Sequence, residues 1–253
     1  MNSLLLLLLD SRAPAGAHHH SGGMEPAVGT GLVTGLADLE DFCRARLRTS
    51  ARVSAAFAAA ACRLQSHDAE RAVVLPQDNL RAIPAERLAA CRPAHGPAQW
   101  ALLDAEFEAR TPSEAMRAAS RQLGGGLLRL LRSVLPEADL VTPWAQCAEH
   151  APHHPLVLGA GVSLAGGTPE LAARAAALSA CASPASAAVR LLGLDPFAVQ
   201  AMLARLAPAI DGCAESAAQA ALQPPSSLPS DGAPALDLLA DYHLTAEVRL
   251  FAS

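Results

Sequence analysis

Five times between residues 111 and 196 a helix-capping residue stands directly before a proline: Thr111 and Pro112, Thr142 and Pro143, Thr168 and Pro169, Ser183 and Pro184, Asp195 and Pro196. The pairing marks a helix start on physical grounds. The side-chain oxygen accepts from an orphan N–H of the first turn, and proline at the first helical position lacks an N–H that would have gone unused. At Thr111 a capping box is completed by Glu114, three residues on. Composition points the same way. Half the residues are hydrophobic but only 3% are aromatic, and much of the apolar material is alanine, the best helix former, while strand formers are scarce. The expectation is an all-α fold, a single bundle of roughly eight to ten helices packed closely through small side chains.

Apolar spacing supports it. Met116, Ala119, Leu123, Leu127, Leu130, Leu131 and Val134 share one helical face, Leu39, Phe42, Cys43 and Leu47 a second, and Trp100, Leu103 and Phe107 a third. Proline-rich stretches at 76–84 and 92–97 read as turns, and QPPSSLPSDGAP at 223–234 as a polar linker between a helical domain, 1–222, and a tail, 235–253. Gly124, Gly125 and Gly126 fall inside the helix after Pro112, where three glycines cost about 2–3 kcal/mol relative to alanine. A close backbone approach on the Ser120–Gly124 face, one turn apart, is the expected compensation, with a bend as the alternative.

Composition also excludes. The net charge of −5 and the single tyrosine give no basic stripe or stacking platform for nucleic acid. Every basic residue is arginine, which removes Schiff-base catalysis and the P-loop lysine. The leucine run at 4–9 has no basic residue before it and stops early at Asp10, so it reads as the first core helix or its lead-in, not as an export signal. Other apolar segments are cut by charges, Pro or Gly, and none is expected to span a membrane. The six cysteines show no CxxC pair and lie mostly in apolar surroundings, which fits a reducing cytoplasm.

Two motifs nearly fit. In LVLGAGVSLAGG, 156–167, Gly159 and Gly161 start a dinucleotide fingerprint whose third position is Leu164, and Ser163 sits in a near nucleophile elbow; neither has the strand it requires. A buried helix containing glycines is expected instead. CAEHAPHH, 147–154, offers Cys147, His150, His153 and His154 as nickel or zinc ligands, but Pro152 and Pro155 make a histidine-bearing surface loop the favoured reading. His18, His19 and His20 are the other cluster.

Taken in order, Asp10, Ser11, Pro14, Gly16, His20, Ser21, Gly23 and Glu25, then Ser120, Gly124 and LLRLL at 127–131, then His153, Pro155 and Gly159, then SAAVRLLGL at 186–194 and the terminal Arg249, Leu250, Phe251 and Ser253, form a pattern that resembles the UreF family of urease accessory proteins. The chain departs from it at His18, where many members carry an aromatic, and at GLDP, 193–196, where they carry PLGQ.

The resemblance implies an all-helical, non-catalytic homodimer, and together with the cysteine and hydropathy readings above the expectation is a cytoplasmic protein without a cofactor, metal ligands or a membrane segment. It implies an adaptor that bridges the UreD (or UreH) scaffold and the UreG GTPase while nickel enters apo-urease. A nickel carrier using the His/Cys clusters is the rival. Partner-binding residues are expected at His20, Ser21 and Glu25, with Ser21 capping the helix that follows, and in the tail at Tyr242, Arg249, Leu250, Phe251 and Ser253. In that tail Leu236, Leu239, Ala240, Leu244 and Val248 outline a short amphipathic helix expected to dock a partner, with packing on its own domain as the alternative.

Overall fold

The structure, a computed structural model, describes residues 3–9, 20–66, 97–136, 138 and 150–244. Among them the chain forms ten α-helices and no strand. These are α1 (Ser3–Leu9), α2 (Met24–Gly29), α3 (Leu36–Arg48), α4 (Ser50–Ser66), α5 (Pro97–Ala109), α6 (Glu114–Val134), α7 (His154–Leu164), α8 (Pro169–Leu192), α9 (Pro196–Ala220) and α10 (Pro234–Leu244). A single 3-10 turn, Pro225–Ser227, precedes α10. The all-α expectation is met.

Helix α4 lies at the centre because its sequence, SARVSAAFAAAACRLQS, presents small apolar residues nearly all the way round. It packs on α3, α5, α7, α8 and α9. Alanine keeps these crossings close, and at Gly159 of α7 the approach is backbone to backbone: a Cβ there would lie 2.1 Å from the carbonyl oxygen of Ala58. The glycine-bearing segment 156–164 is thus a buried helix, as its lack of strand context requires. Leu5 and Leu8 of α1 are buried against the same core, and α1 packs on α7.

Two of the cap–proline pairs act as read. Thr168 accepts from Leu171 N, and Asp195 from Phe197 N and Ala198 N. Two others need correction. Helix α6 starts at Glu114, and its cap is Ser113, whose hydroxyl accepts from Met116 N at 3.2 Å; Thr111 instead bonds back to Phe107 O at the end of α5. Ser183 and Pro184 start nothing, because α8 runs through them. Pro184 has no N–H for the carbonyl of Ala180 four residues earlier. That oxygen accepts from Arg46 Nε at 3.0 Å, so a side chain on α3 replaces the missing helical bond. The pair at Thr142 lies outside the described residues, as do the turns at 76–84 and 92–96, while Pro97 opens α5.

Helix α8 corrects one further expectation. At 24 residues it is long and apolar enough to cross a membrane by length and composition. Here it is a core helix, packed on α2, α3, α4, α7 and α9, with Arg174 paired to Asp211 at 2.7 Å.

Candidate functional site

Of the residues expected to meet partners, His20, Ser21, Glu25 and Tyr242 are described, and α10, which carries Tyr242, packs across α2, which carries Glu25, and across α6. Its spacing explains the docking. Leu236 and Leu239 join the core and Ala240 is buried, while Leu238 and Tyr242, on the opposite face, are 72% and 67% exposed. Asp241 ties the helix down, its Oδ1 accepting from Ser113 Oγ at 2.6 Å and from Ala115 N at 3.3 Å. One carboxylate on α10 therefore helps to cap α6. Leu238, Leu239 and Tyr242 border a shallow groove with Thr30, Gly31 and the exposed Leu32.

Beneath that face the N-terminal residues take their places. His20 is 7% exposed and Ser21 fully buried, while Glu25 is half-buried in the first turn of α2. Ser21 does not cap that helix. Its cap position is Gly23, held at φ +84°, a conformation that favours glycine, and the Ser21 hydroxyl has no hydrogen-bond partner among the described residues. Arg249, Leu250, Phe251 and Ser253 lie outside the described residues, as do Val248, His18, His19 and Cys147.

A second constellation joins α5, α6 and the start of α7. His153, fully buried, stands at the N-cap position of α7, which His154 begins, and its side chain does not cap the helix. Its Nε2–H donates to Glu108 Oε2 at 2.7 Å, its Nδ1 accepts from Ser120 O–H at 3.1 Å, and Ser120 Oγ accepts in turn from His154 N–H at 3.3 Å. One neutral tautomer satisfies all three bonds. Asp104 accepts from His153 N at 3.1 Å, and Arg121 bridges Asp104, Glu108 and the carbonyl of Ala151. Burial pushes the His153 imidazole below its ordinary pKa, which keeps it neutral. Burial alone would raise the Glu108 carboxyl, but the bonds from His153 and Arg121 outweigh it and hold the group low.

This arrangement corrects the surface-loop reading of residues 147–154 at two positions: His153 is fully buried and His154 half-buried. His150 is exposed. Both ring nitrogens of His153 are engaged by protein, so it has no lone pair to offer a metal ion. Among the described residues no three His, Cys, Asp or Glu side chains gather as a metal site. Cys43, Cys62, Cys181 and Cys213 are buried free thiols.

Gly124 answers the question raised by the glycine cluster. A Cβ there would stand 1.9 Å from Pro152 O, so the backbone before α7 lies directly on α6, with Ser120 one turn away on the same face.

Comparison with known proteins places this architecture. The family model for UreF matches residues 33–207. The chain is 40% identical over 255 aligned positions to a urease accessory protein UreF of Mycolicibacterium vanbaalenii, covering the whole of both chains. It is 38% identical to one of Mycobacterium marinum, over 99% of this chain and 98% of that one, and 36% identical to one of Mycobacterium tuberculosis over the same shares. A helical bundle with its polar residues locked between helices, matched from end to end at this identity, belongs to the UreF family of urease accessory proteins.

Proposed function

We propose that this chain serves urease maturation as a non-catalytic, cytoplasmic, homodimeric adaptor that brings the UreD (or UreH) scaffold and the UreG GTPase together for nickel insertion into apo-urease. Family membership supports the setting in urease maturation. The observation that carries the adaptor reading is the outer face of α10, where Leu238 and Tyr242 stand exposed beside Leu32. Large apolar and aromatic side chains on one helix face are the anchors that dominate interface energy. In this reading residues 223–234 are the linker that leads into α10, the described part of the tail 235–253, and His20, Ser21 and Glu25 support the face from below.

The test is co-purification from cells that also express the partner proteins. Leu238→Glu and Tyr242→Ala, surface changes expected to alter stability by no more than about 0.5 kcal/mol, should abolish capture of the scaffold. Removing 235–253 should do the same with helical circular dichroism retained. Capture that survives all three variants refutes the role assigned to this face.

A further inference from the structure

A cavity of about 200 Å³ lies among α3, α4, α6, α8 and α10. It exceeds the roughly 150 Å³ of an apolar cavity known to admit benzene, so it has room for a multi-atom ligand. Much of its wall is apolar, including Val53, Phe107, Met116, Leu123, Pro155 and Leu236. The polar part of the wall includes donors that have no acceptor among the described residues.

Arg46 uses Nε on Ala180 O and Nη1 on Gly22 O, which leaves Nη2 without an acceptor and the guanidinium without a carboxylate among the described residues. Among the described residues Ser50 Oγ is buried and unpartnered, and so is Arg110 Nε, on a side chain only 10% exposed whose other nitrogens are satisfied by Glu106 and by backbone carbonyls. Two carboxylates share the lining. Asp231 is held by Arg52 at 3.0 Å, and neither it nor Asp237, whose charged neighbour is Asp241, forms an ion pair with Arg46, whose guanidinium lies 5.8 Å from the centre of the Phe42 ring. Buried donors without acceptors, and a guanidinium without a counter-ion, each carry a desolvation cost that an anionic acceptor relieves.

We propose that this cavity binds a small organic carboxylate, its oxygens accepting from Arg46, Ser50 and Arg110 and its apolar body lying against Val53, Met116 and Leu123. Water would satisfy the hydroxyl but not the charge, and an inorganic oxyanion would leave the apolar wall unused.

Isothermal titration of the full chain with acetate, isovalerate and benzoate tests it, with benzamide and inorganic phosphate as controls. The expected result is one-to-one binding of isovalerate or benzoate with Kd of about 1 mM or tighter, and at least about tenfold weaker binding of benzamide and phosphate. Ser50→Ala removes a hydroxyl that bonds nothing among the described residues and should weaken the carboxylate several-fold. Ala119→Leu fills the cavity and should abolish binding, with circular dichroism confirming that both variants fold. The proposal is overturned if none of the carboxylates saturates by about 10 mM, if benzamide or phosphate matches the best of them, or if both variants bind like the parent.

Discussion

Replacing Gly124 by alanine sets two effects of opposite sign against each other. Inside a helix the change is favourable by about 1 kcal/mol on propensity. At this position the new Cβ would sit 1.9 Å from Pro152 O and 3.0 Å from His154 N, where roughly 3.4 Å is needed for ordinary contact. The backbone before α7 must retreat by about 1.5 Å, at the upper end of the 1–3 kcal/mol typical of overpacking. The same retreat pulls His153 and His154 from Ser120 and Asp104, and loss of one or two such bonds adds about 1–2 kcal/mol. The net is a loss of about 3–4 kcal/mol, which for a chain of this size lowers the melting temperature by roughly 6–16 °C. Gly212→Ala is the control. That glycine lies in α9 with nothing within 4 Å of the added Cβ, so the substitution should stabilise by about 0.5–1 kcal/mol. Urea unfolding of the two variants decides the matter. A Gly124→Ala protein as stable as its parent, beside a stabilised Gly212→Ala, refutes the reading of that contact.

Asp195→Ala removes the acceptor for two amides at the head of α9 and should cost about 1 kcal/mol, read as a lowered urea midpoint with an unchanged slope. Lowering the pH should destabilise the fold through His154. Burial, aided by His20, depresses its pKa from 6.5 to about 4 in the folded chain. The unfolded state therefore takes the proton first, and stability falls as pH drops from 6.5 towards 4. His154→Gln should flatten that slope in urea titrations run across the interval, and an unchanged slope refutes the assignment. In hydrogen exchange, α10 should open well before α4. It is held by Asp241, three inward side chains and the Arg52–Asp231 pair near its start, whereas α4 is packed on five helices.

What the sequence disclosed depended on the range of the interaction. Thr168 and Asp195 cap helices through amides two or three residues away, so a pattern of neighbouring residues suffices to find them. Thr111 and Ser113 are two residues apart and both suited to capping. The position of Ser113 is reinforced by Asp241, 128 residues further on, which no local pattern contains. Pro184 is the same lesson with the sign reversed. A capping residue before proline normally means a helix start, but Arg46 satisfies the carbonyl that proline orphans, and a helix of 24 residues continues through it.

The network around His153 was half visible for a related reason. Gly124 is legible as a glycine inside a helix, Ser120 as its neighbour on the same face and His153 as one of a histidine cluster, whereas Asp104, Glu108 and Arg121 taken singly carry no such mark, because a charged residue on a helix ordinarily faces water. A signal was nonetheless present. Asp104 and Glu108 are one turn apart on α5, and Arg117 and Arg121 one turn apart on α6, so each helix carries a matched pair on a single face. Two carboxylates opposite two guanidiniums across a short connection fit an interhelical ladder. The structure forms it, with Glu108 taking both Arg117 and Arg121. The ladder still carries one acceptor position that arginine does not fill, and Glu108 uses it for the imidazole of His153. That bond holds the start of α7, and the start of α7 in turn sets the register in which Gly159 meets α4, so a surface-looking pair of charges bears on a backbone-to-backbone contact in the core.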